Sequence, residues 1–267
     1  MSASAPERTA SSETPTDAEA PRSGPVTTAI AAVRSITTFL FISLYSLVCA
    51  PLGLIVLWIF RTNELLFVLG HGAVWLALRL AGIRYKVVGR EHVPATSAVV
   101  FCANHQSNVD PPVLFKALHR RLHFLYKAEL SKLPILGYTF DVGGFVPIER
   151  SNREEAMASI RRGAASIRQG NSFLIFPEGT RSRTGALLPF KKGGFIMAIQ
   201  AQAPILPVAI SGGRSAMRRG SWIVWPVRVT VRIGEPVDTA GLTVDDRDRL
   251  IDIVRTRIEA LLAAGPA

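Results

Sequence analysis

Ala98-Val99-Val100-Phe101-Cys102-Ala103-Asn104-His105-Gln106-Ser107-Asn108-Val109-Asp110-Pro111-Pro112-Val113-Leu114-Phe115 decides how this chain is read. A short, continuous apolar run of this kind fits a strand buried on both faces. It ends in a polar turn, and Asp110 followed by two prolines and apolar residues reads as a helix start. The stretch is therefore a strand-loop-helix corner, the place where α/β proteins put their chemistry. His105 stands at the strand end with the Asp110 carboxylate five residues on. A titratable base with a carboxylate within reach is the arrangement needed to deprotonate an alcohol. Taken alone, the pair also reads as a hydrogen-bonded structural histidine and a helix N-cap.

Outward from this corner, short apolar runs alternate with helical stretches. The runs predict strands over 85–89, 97–103, 122–126, 145–148, 172–176, 205–210 and 227–233. The intervening patterns predict helices over 111–118, 152–169, 193–202 and 243–263. Such alternation predicts an α/β domain, with a mostly parallel sheet flanked by helices, over residues 83–267.

The N-terminal third has a different character. Residues 1–25 are rich in Ser, Thr, Pro, Ala and Glu and lack aromatics, which predicts a disordered tail. From Ile36 to Phe60 there are 25 consecutive uncharged residues, long enough for a helix to cross a bilayer. Pro51 and Gly53 interrupt that run, so a kinked or partly inserted helix fits as well as a clean crossing. A second apolar stretch, Leu65 to Leu80, is broken only by His71 and Arg79. The two predict a membrane-associated helical hairpin over 26–82, with Trp58 and Trp75 as interface anchors. Two buried core helices are the alternative.

Of 267 residues, 48% are hydrophobic, and the mean hydropathy of +0.27 is high for a soluble protein. The net charge is +11, and residues 1–25 carry −2 of it, leaving +13 on the remainder. A basic surface beside apolar segments suits an anionic bilayer. Nucleic acid is the rival partner for such a basic chain, but no nucleic-acid motif accompanies the charge. Cys49 and Cys102 alone give no disulfide framework and no metal-ligand spacing, so no metal is expected. A reducing, cytoplasm-facing setting follows.

Other segments carry chemistry. Ser172-Phe173-Leu174-Ile175-Phe176-Pro177-Glu178-Gly179-Thr180-Arg181-Ser182-Arg183 is again a strand ending in a turn, here with a carboxylate, a glycine and two arginines suited to phosphate. Phe190-Lys191-Lys192-Gly193-Gly194 opens an apolar helix, and lysines ahead of a helix N-terminus favour anions. Gly143-Gly144-Phe145-Val146-Pro147-Ile148-Glu149-Arg150 delivers Arg150 at a strand end, and Tyr126-Lys127 places Lys127 just after another. Solvated basic loops would have the same composition. Ala203 to Ile210 reads as a core strand.

Together these segments resemble the glycerolipid acyltransferases. His105 through Asp110 matches the N-H-x-x-x-x-D signature with Asn104, and Phe145–Arg150, Phe176–Arg181 and Ile205–Val208 look like the second, third and fourth motifs in the same order. The likeness covers roughly 85–235. Size and the apolar N-terminal segment make the chain most similar to the bacterial 1-acylglycerol-3-phosphate acyltransferases. The resemblance implies His105 as general base and Asp110 as its orienting partner, with Asn104 shaping the corner. It implies Arg150, Lys127 and Arg181 at the acceptor phosphate, and Glu178 with Gly179 organising the acceptor glycerol or the site loop. Glu149 departs from many members and is assigned no role.

The implied reaction moves a fatty acyl group from acyl-CoA or acyl-carrier protein to the 2-hydroxyl of lysophosphatidate, forming phosphatidate, with neither cofactor nor metal. A thioester is already activated, so only the acceptor hydroxyl has to lose a proton. A free imidazole, titrating near pH ~6.5, is matched to that transfer. The implied partners are membrane lipids, lysophosphatidate and the acyl donor, and the implied location is the cell inner membrane with the domain facing the cytoplasm. Alternatives are another lysolipid acceptor (a lyso-ornithine lipid or lysophospholipid), an acyl-enzyme route through Cys102, and a lipid-binding protein without catalysis. Cys102 lies three residues from His105, on the opposite face of an extended strand. A non-catalytic relative would be expected to lack His105 or Asp110, and both are present.

Overall fold

A computed structural model describes residues 24–118, 121–149, 152–217 and 220–265. The predicted tail 1–25 falls outside these residues except at its end, where Gly24 precedes a helix that begins at Pro25.

That helix, α1, runs Pro25–Phe60, 36 residues, and passes through Pro51 without interruption. It stops at Arg61, whose left-handed backbone (φ 55°) lets its N–H bond the Leu57 carbonyl at 2.8 Å. After a three-residue turn, α2 covers Glu64–Leu80. The two helices pack together: the Tyr45 hydroxyl donates to the Leu69 carbonyl at 3.0 Å, and Gly53 leaves room for Leu66.

They differ in what their other faces meet. Leu40, Leu44, Leu47, Leu52, Ile55, Trp58 and Phe60 of α1 are exposed. In α2, Phe67 and Leu78 are buried in the same core as α3 (Asp110–Ala117), and His71 stacks on Phe115 at 4.3 Å. Among the described residues α1 alone is long and apolar enough to cross a membrane. The predicted hairpin thus becomes one long apolar helix plus a second helix seated on the α/β domain.

The domain is built on seven strands: β1 (Arg84–Val88), β2 (Val100–Ala103), β3 (Leu122–Lys127), β4 (Val146–Ile148), β5 (Ser172–Ile175), β6 (Ile205–Ser211) and β7 (Arg228–Ile233). Their spatial order is β1-β7-β6-β2-β5-β3-β4. Every neighbouring pair is parallel except β6 with β7. The sheet is mostly parallel, as the alternation predicts.

Successive side chains of β2 go to opposite faces. Phe101 and Ala103 join the core under α2 and α3. Val100 and Cys102 join the core under α5 (Arg153–Arg168), α6 (Gly193–Ala201) and α7 (Arg247–Ala263). The chain also forms α4, Pro134–Val142, which the sequence pattern did not predict.

In a parallel sheet the C-terminal ends of all strands share one edge. In β6, β2 and β5, three consecutive strands, that edge collects Gly213, His105 with Asp110, and Glu178.

Candidate active site

The corner after β2 is fixed first through Asn104. Its Nδ2 donates to the Ile210 carbonyl at 3.0 Å, and its Oδ1 accepts the Ile210 N–H at 2.7 Å. This two-point bond stitches the turn to β6 and commits the chain direction at His105.

Asp110 opens α3 and is fully buried. Its Oδ2 accepts three donors: Gln106 N at 2.6 Å, Ser107 N at 2.7 Å and His105 Nδ1 at 3.0 Å. A carboxylate oxygen only accepts, so the partner assigns the imidazole proton to Nδ1. The lone pair of Nε2 is then available to take a proton. The His105 side chain is 16% exposed, and its ring stacks on Phe176 with centroids 4.2 Å apart. The imidazole is therefore oriented on one side by the Asp110 carboxylate and on another by an aromatic face. Asp110 Oδ1 has no hydrogen-bond partner among the described residues and lies against Gly213. A Cβ at Gly213 would sit 2.5 Å from that oxygen. Only glycine lets the strap after β6 approach the carboxylate, a requirement that the sequence motifs do not reveal.

Glu178, at the end of β5, is 3% exposed. Its Oε1 accepts the His105 N–H at 2.7 Å and its Oε2 accepts the Leu188 N–H at 3.0 Å. Burial raises its pKa, while those two amides, His105 and Arg255 partly oppose the rise. The Ser182 N–H donates to the His105 carbonyl at 2.8 Å. The backbone of His105 is thus clamped on both sides of its Cα by the Glu178–Ser182 loop. Both carboxylate oxygens of Glu178 face backbone donors, so of its two implied tasks the geometry serves the site loop.

Gly179 turns that loop with φ +64°, and a Cβ there would come within 2.8–2.9 Å of the Lys191 side chain. Arg181 lies one residue before Ser182, half-buried on the same corner. Lys192 is drawn away to Asp248 at 3.1 Å. Lys127, the last residue of β3, is two strands from β2, and it pairs with Glu129 at 2.7 Å on the surface. The structure does not bring it to His105. Arg150 lies outside the described residues.

Cys102 is completely buried, and burial, aided by the Glu178 charge, pushes its thiol well above the ordinary range. A thiol held protonated in a core strand is inert as a nucleophile, which removes the acyl-cysteine route. His123 is also buried, among Phe67, Phe145 and Phe173, and burial lowers its pKa. It is a neutral core histidine in β3.

Beside Asp110, Pro111, Pro112 and Phe115 of α3 line an apolar cavity of about 320 Å³ with Phe67, Phe140 and Phe145. No group of three or more His, Cys, Asp or Glu among the described residues is arranged to hold a metal ion.

The family described as Acyltransferase matches residues 84–211, which contain every element of this corner up to the end of β6. A 1-acyl-sn-glycerol-3-phosphate acyltransferase of Limnanthes douglasii is 34% identical over 186 residues, 69% of this chain and 66% of that protein. The mouse (Mus musculus) 1-acyl-sn-glycerol-3-phosphate acyltransferase alpha is 36% identical over 66% of this chain and 62% of its own length. The coconut (Cocos nucifera) protein of the same description is 31% identical, covering 80% of this chain and 70% of that one. The chain thus spans somewhat under two thirds of the length of the first two. Among solved structures, the 1-acyl-sn-glycerophosphate (LPA) acyltransferase PlsC of Thermotoga maritima superposes with a TM-score of 0.72, covering 88% of this chain and 98% of that one. At 24% identity that likeness speaks for the fold.

Proposed function

We propose that this chain, which belongs to the acyltransferase family, transfers a fatty acyl group from an acyl thioester to the 2-hydroxyl of lysophosphatidate, forming phosphatidate. The observation that carries the reading is the buried Asp110 Oδ2 bonded to His105 Nδ1 at 3.0 Å. It leaves Nε2 as the base on the open side of the ring.

In the proposed reaction Nε2 takes the proton of the acceptor hydroxyl as its oxygen bonds the thioester carbonyl carbon. The negative charge of Asp110 favours the imidazolium that forms. The tetrahedral intermediate then collapses, the C–S bond breaks, and the leaving thiolate takes the proton back from Nε2. Acyl-CoA and acyl-carrier protein present the same thioester, and either serves this chemistry as co-substrate. The apolar cavity beside Pro111 and Pro112 suits the acyl chain. Arg181 is the basic residue best situated for the acceptor phosphate, with Lys127 and Arg150 as further candidates from the resemblance.

The names of the relatives support lysophosphatidate over a lyso-ornithine lipid. The 36 residues of α1 would extend roughly 54 Å, against a hydrocarbon core of about 30 Å. Its exposed apolar side chains support membrane embedding, with the basic domain on the anionic cytoplasmic face of the inner membrane.

The experiment supplies the purified full-length chain with labelled acyl-CoA or acyl-carrier protein and a panel of lysolipids. Lysophosphatidate should be the preferred acceptor, and His105→Ala should abolish transfer while the protein remains folded. Preference for a lysolipid without a phosphomonoester, or substantial turnover by His105→Ala, would refute the reading.

A further inference from the structure

Arg34 of α1, Arg79 of α2, Arg84 of β1 and Arg228 of β7 line one cavity of about 770 Å³, with Trp75 and Tyr85 also in its wall. No Asp or Glu lines it. None of the four arginines forms a salt bridge with a carboxylate among the described residues. Arg84 and Arg228 are register partners on adjacent strands, so their Cα atoms stand roughly 4.8 Å apart. Like charges in that position repel. Arg34 reaches across to donate from Nε and Nη2 to the Leu80 carbonyl at 3.3 and 3.2 Å, which holds a third guanidinium at the cavity. Arg79 lies 5.4 Å from the centroid of the Trp75 ring. Uncompensated positive charge drawn from four elements calls for an anion with several acceptor oxygens, and phosphate fits the guanidinium fork.

The location says which phosphate. Because β7 runs antiparallel to β6, the starts of β7 and β1 lie on the edge of the sheet where β2 and β6 end. Gly212 approaches the Arg228 carbonyl so closely that a Cβ there would overlap it, and Gly213 next to it abuts Asp110. The cavity therefore shares the catalytic edge, about three strand spacings or ~14 Å along it from His105. Its opposite wall is made by the two apolar helices. Ile30, Val33 and Ile36, within one turn of Arg34, are exposed on α1. A ligand whose phosphate enters the cavity would find an apolar helix surface for its tails.

We propose that this cavity is a second lipid site, separate from the His105 centre, which holds the phosphate headgroup of an anionic phospholipid with its acyl chains along α1. The lipid fixes the catalytic edge at headgroup depth, where an amphiphilic acceptor presents its hydroxyl. The inference rests on the membrane placement of α1 proposed above.

The test uses the full chain in neutral detergent and follows its thermal unfolding midpoint with added dioctanoylphosphatidylglycerol, dioctanoylphosphatidylcholine, inorganic phosphate or free CoA. Ligands that bind only the folded state raise the midpoint in proportion to occupancy. Phosphatidylglycerol is expected to raise it at concentrations where phosphatidylcholine and inorganic phosphate do not. Arg84→Gln/Arg228→Gln should weaken phosphatidylglycerol by at least roughly tenfold, since each lost charge-assisted contact is equivalent to about 10- to 150-fold. Arg84→Lys/Arg228→Lys should lose less. If the Gln pair unfolds, Arg79→Gln on the exposed face of α2 should show the same direction. Transfer by these variants in neutral micelles should stay within about twofold of wild type.

A phosphatidylglycerol shift that is absent, or unchanged in the variants, overturns the proposal. So does an equal, variant-sensitive shift with CoA or inorganic phosphate, which would make the cavity a site for soluble phosphates. His105→Ala should keep the phosphatidylglycerol shift while losing turnover, which separates this site from the catalytic reading.

Discussion

Asp110 should separate catalysis from folding when it is replaced in two ways. Its Oδ2 accepts two backbone amides and one imidazole N–H in a fully buried setting. Asp110→Asn can keep an oxygen in that place, so Gln106 N and Ser107 N retain an acceptor and Nδ1 keeps its proton. What disappears is the negative charge that favours the imidazolium. A hydrogen bond to a charged partner contributes about 1.5–3 kcal/mol, so kcat should fall by roughly 10- to 150-fold from the charge alone. The new amide nitrogen would replace Oδ1, which has no partner among the described residues, and burying an unsatisfied donor there costs about 1–3 kcal/mol. Asp110→Ala strands both backbone donors, at about 1–3 kcal/mol each, and also frees the imidazole. At about 2–4 °C per kcal/mol for a chain of this size, the Ala variant should melt well below the Asn variant, although both are catalytically impaired. The assay pairs labelled acyl transfer with thermal unfolding in the same detergent. A wild-type rate in Asp110→Asn would leave the carboxylate as a loop anchor only. An unchanged midpoint in Asp110→Ala would mean that the three-donor acceptor does not exist in the protein.

Cys102→Ser should retain its rate per folded molecule, and no acylated Cys102 should be recovered by mass spectrometry after single turnover. Glu178 has a raised pKa in the folded chain, so its contribution to stability is present below about pH 4.5 and is lost as pH rises through the folded value. Urea unfolding between pH 4 and 7 should show that decline as the difference between wild type and Glu178→Gln; an identical pH dependence in the two would contradict the burial argument. Arg181→Ala should raise KM for lysophosphatidate by about 10- to 150-fold, the equivalent of one charge-assisted phosphate contact. The change should matter much less with an acceptor that lacks a phosphomonoester, and equal losses with both would assign Arg181 to the loop or to the donor.

The central strands are legible as apolar runs cut off by turn residues, since a parallel sheet buries both faces of such runs, whereas β1 and β7 are legible as alternating runs, with Arg84, Lys86, Arg228 and Arg232 between apolar residues. Helix α4 escapes because its nine residues include Gly137 and carry no side-chain cap. That glycine answers to the Ser131 backbone, which a Cβ would overlap, and local propensity contains no trace of such a contact. For α2 the pattern gives an apolar helix but not its neighbour, since lipid and protein core select the same residue types. The His105–Asp110 pair is legible because it is local, five residues apart on one turn. The destination of Glu178 is not, because its partners are a peptide some seventy residues earlier and another ten residues later. Lys127 is legible as a strand-end cation, but nothing in the spacing says that it will pair with Glu129.

The two buried carboxylates do different work on one residue. Asp110 holds the ring of His105, and Glu178 holds its peptide. Each approaches from a different strand end, and the next peptide, through the His105 carbonyl, is held by Ser182. A base whose ring alone was oriented could still swing with its backbone, and a proton transfer over one hydrogen-bond length tolerates little of that. Backbone amides are the donors that can satisfy a buried carboxylate without adding a second titrating cation beside the imidazole. Glu178 meets two of them, so its charge is met chiefly by N–H dipoles, with His105 and Arg255 adding to them. Sheet order explains how segments so far apart in sequence come to cooperate. β6, β2 and β5 are consecutive, so the strap at Gly213, His105 and the Glu178 brace stand about one strand spacing apart. A shift of any one of the three strands along its neighbour would break the clamp on His105 together with the packing of both buried faces.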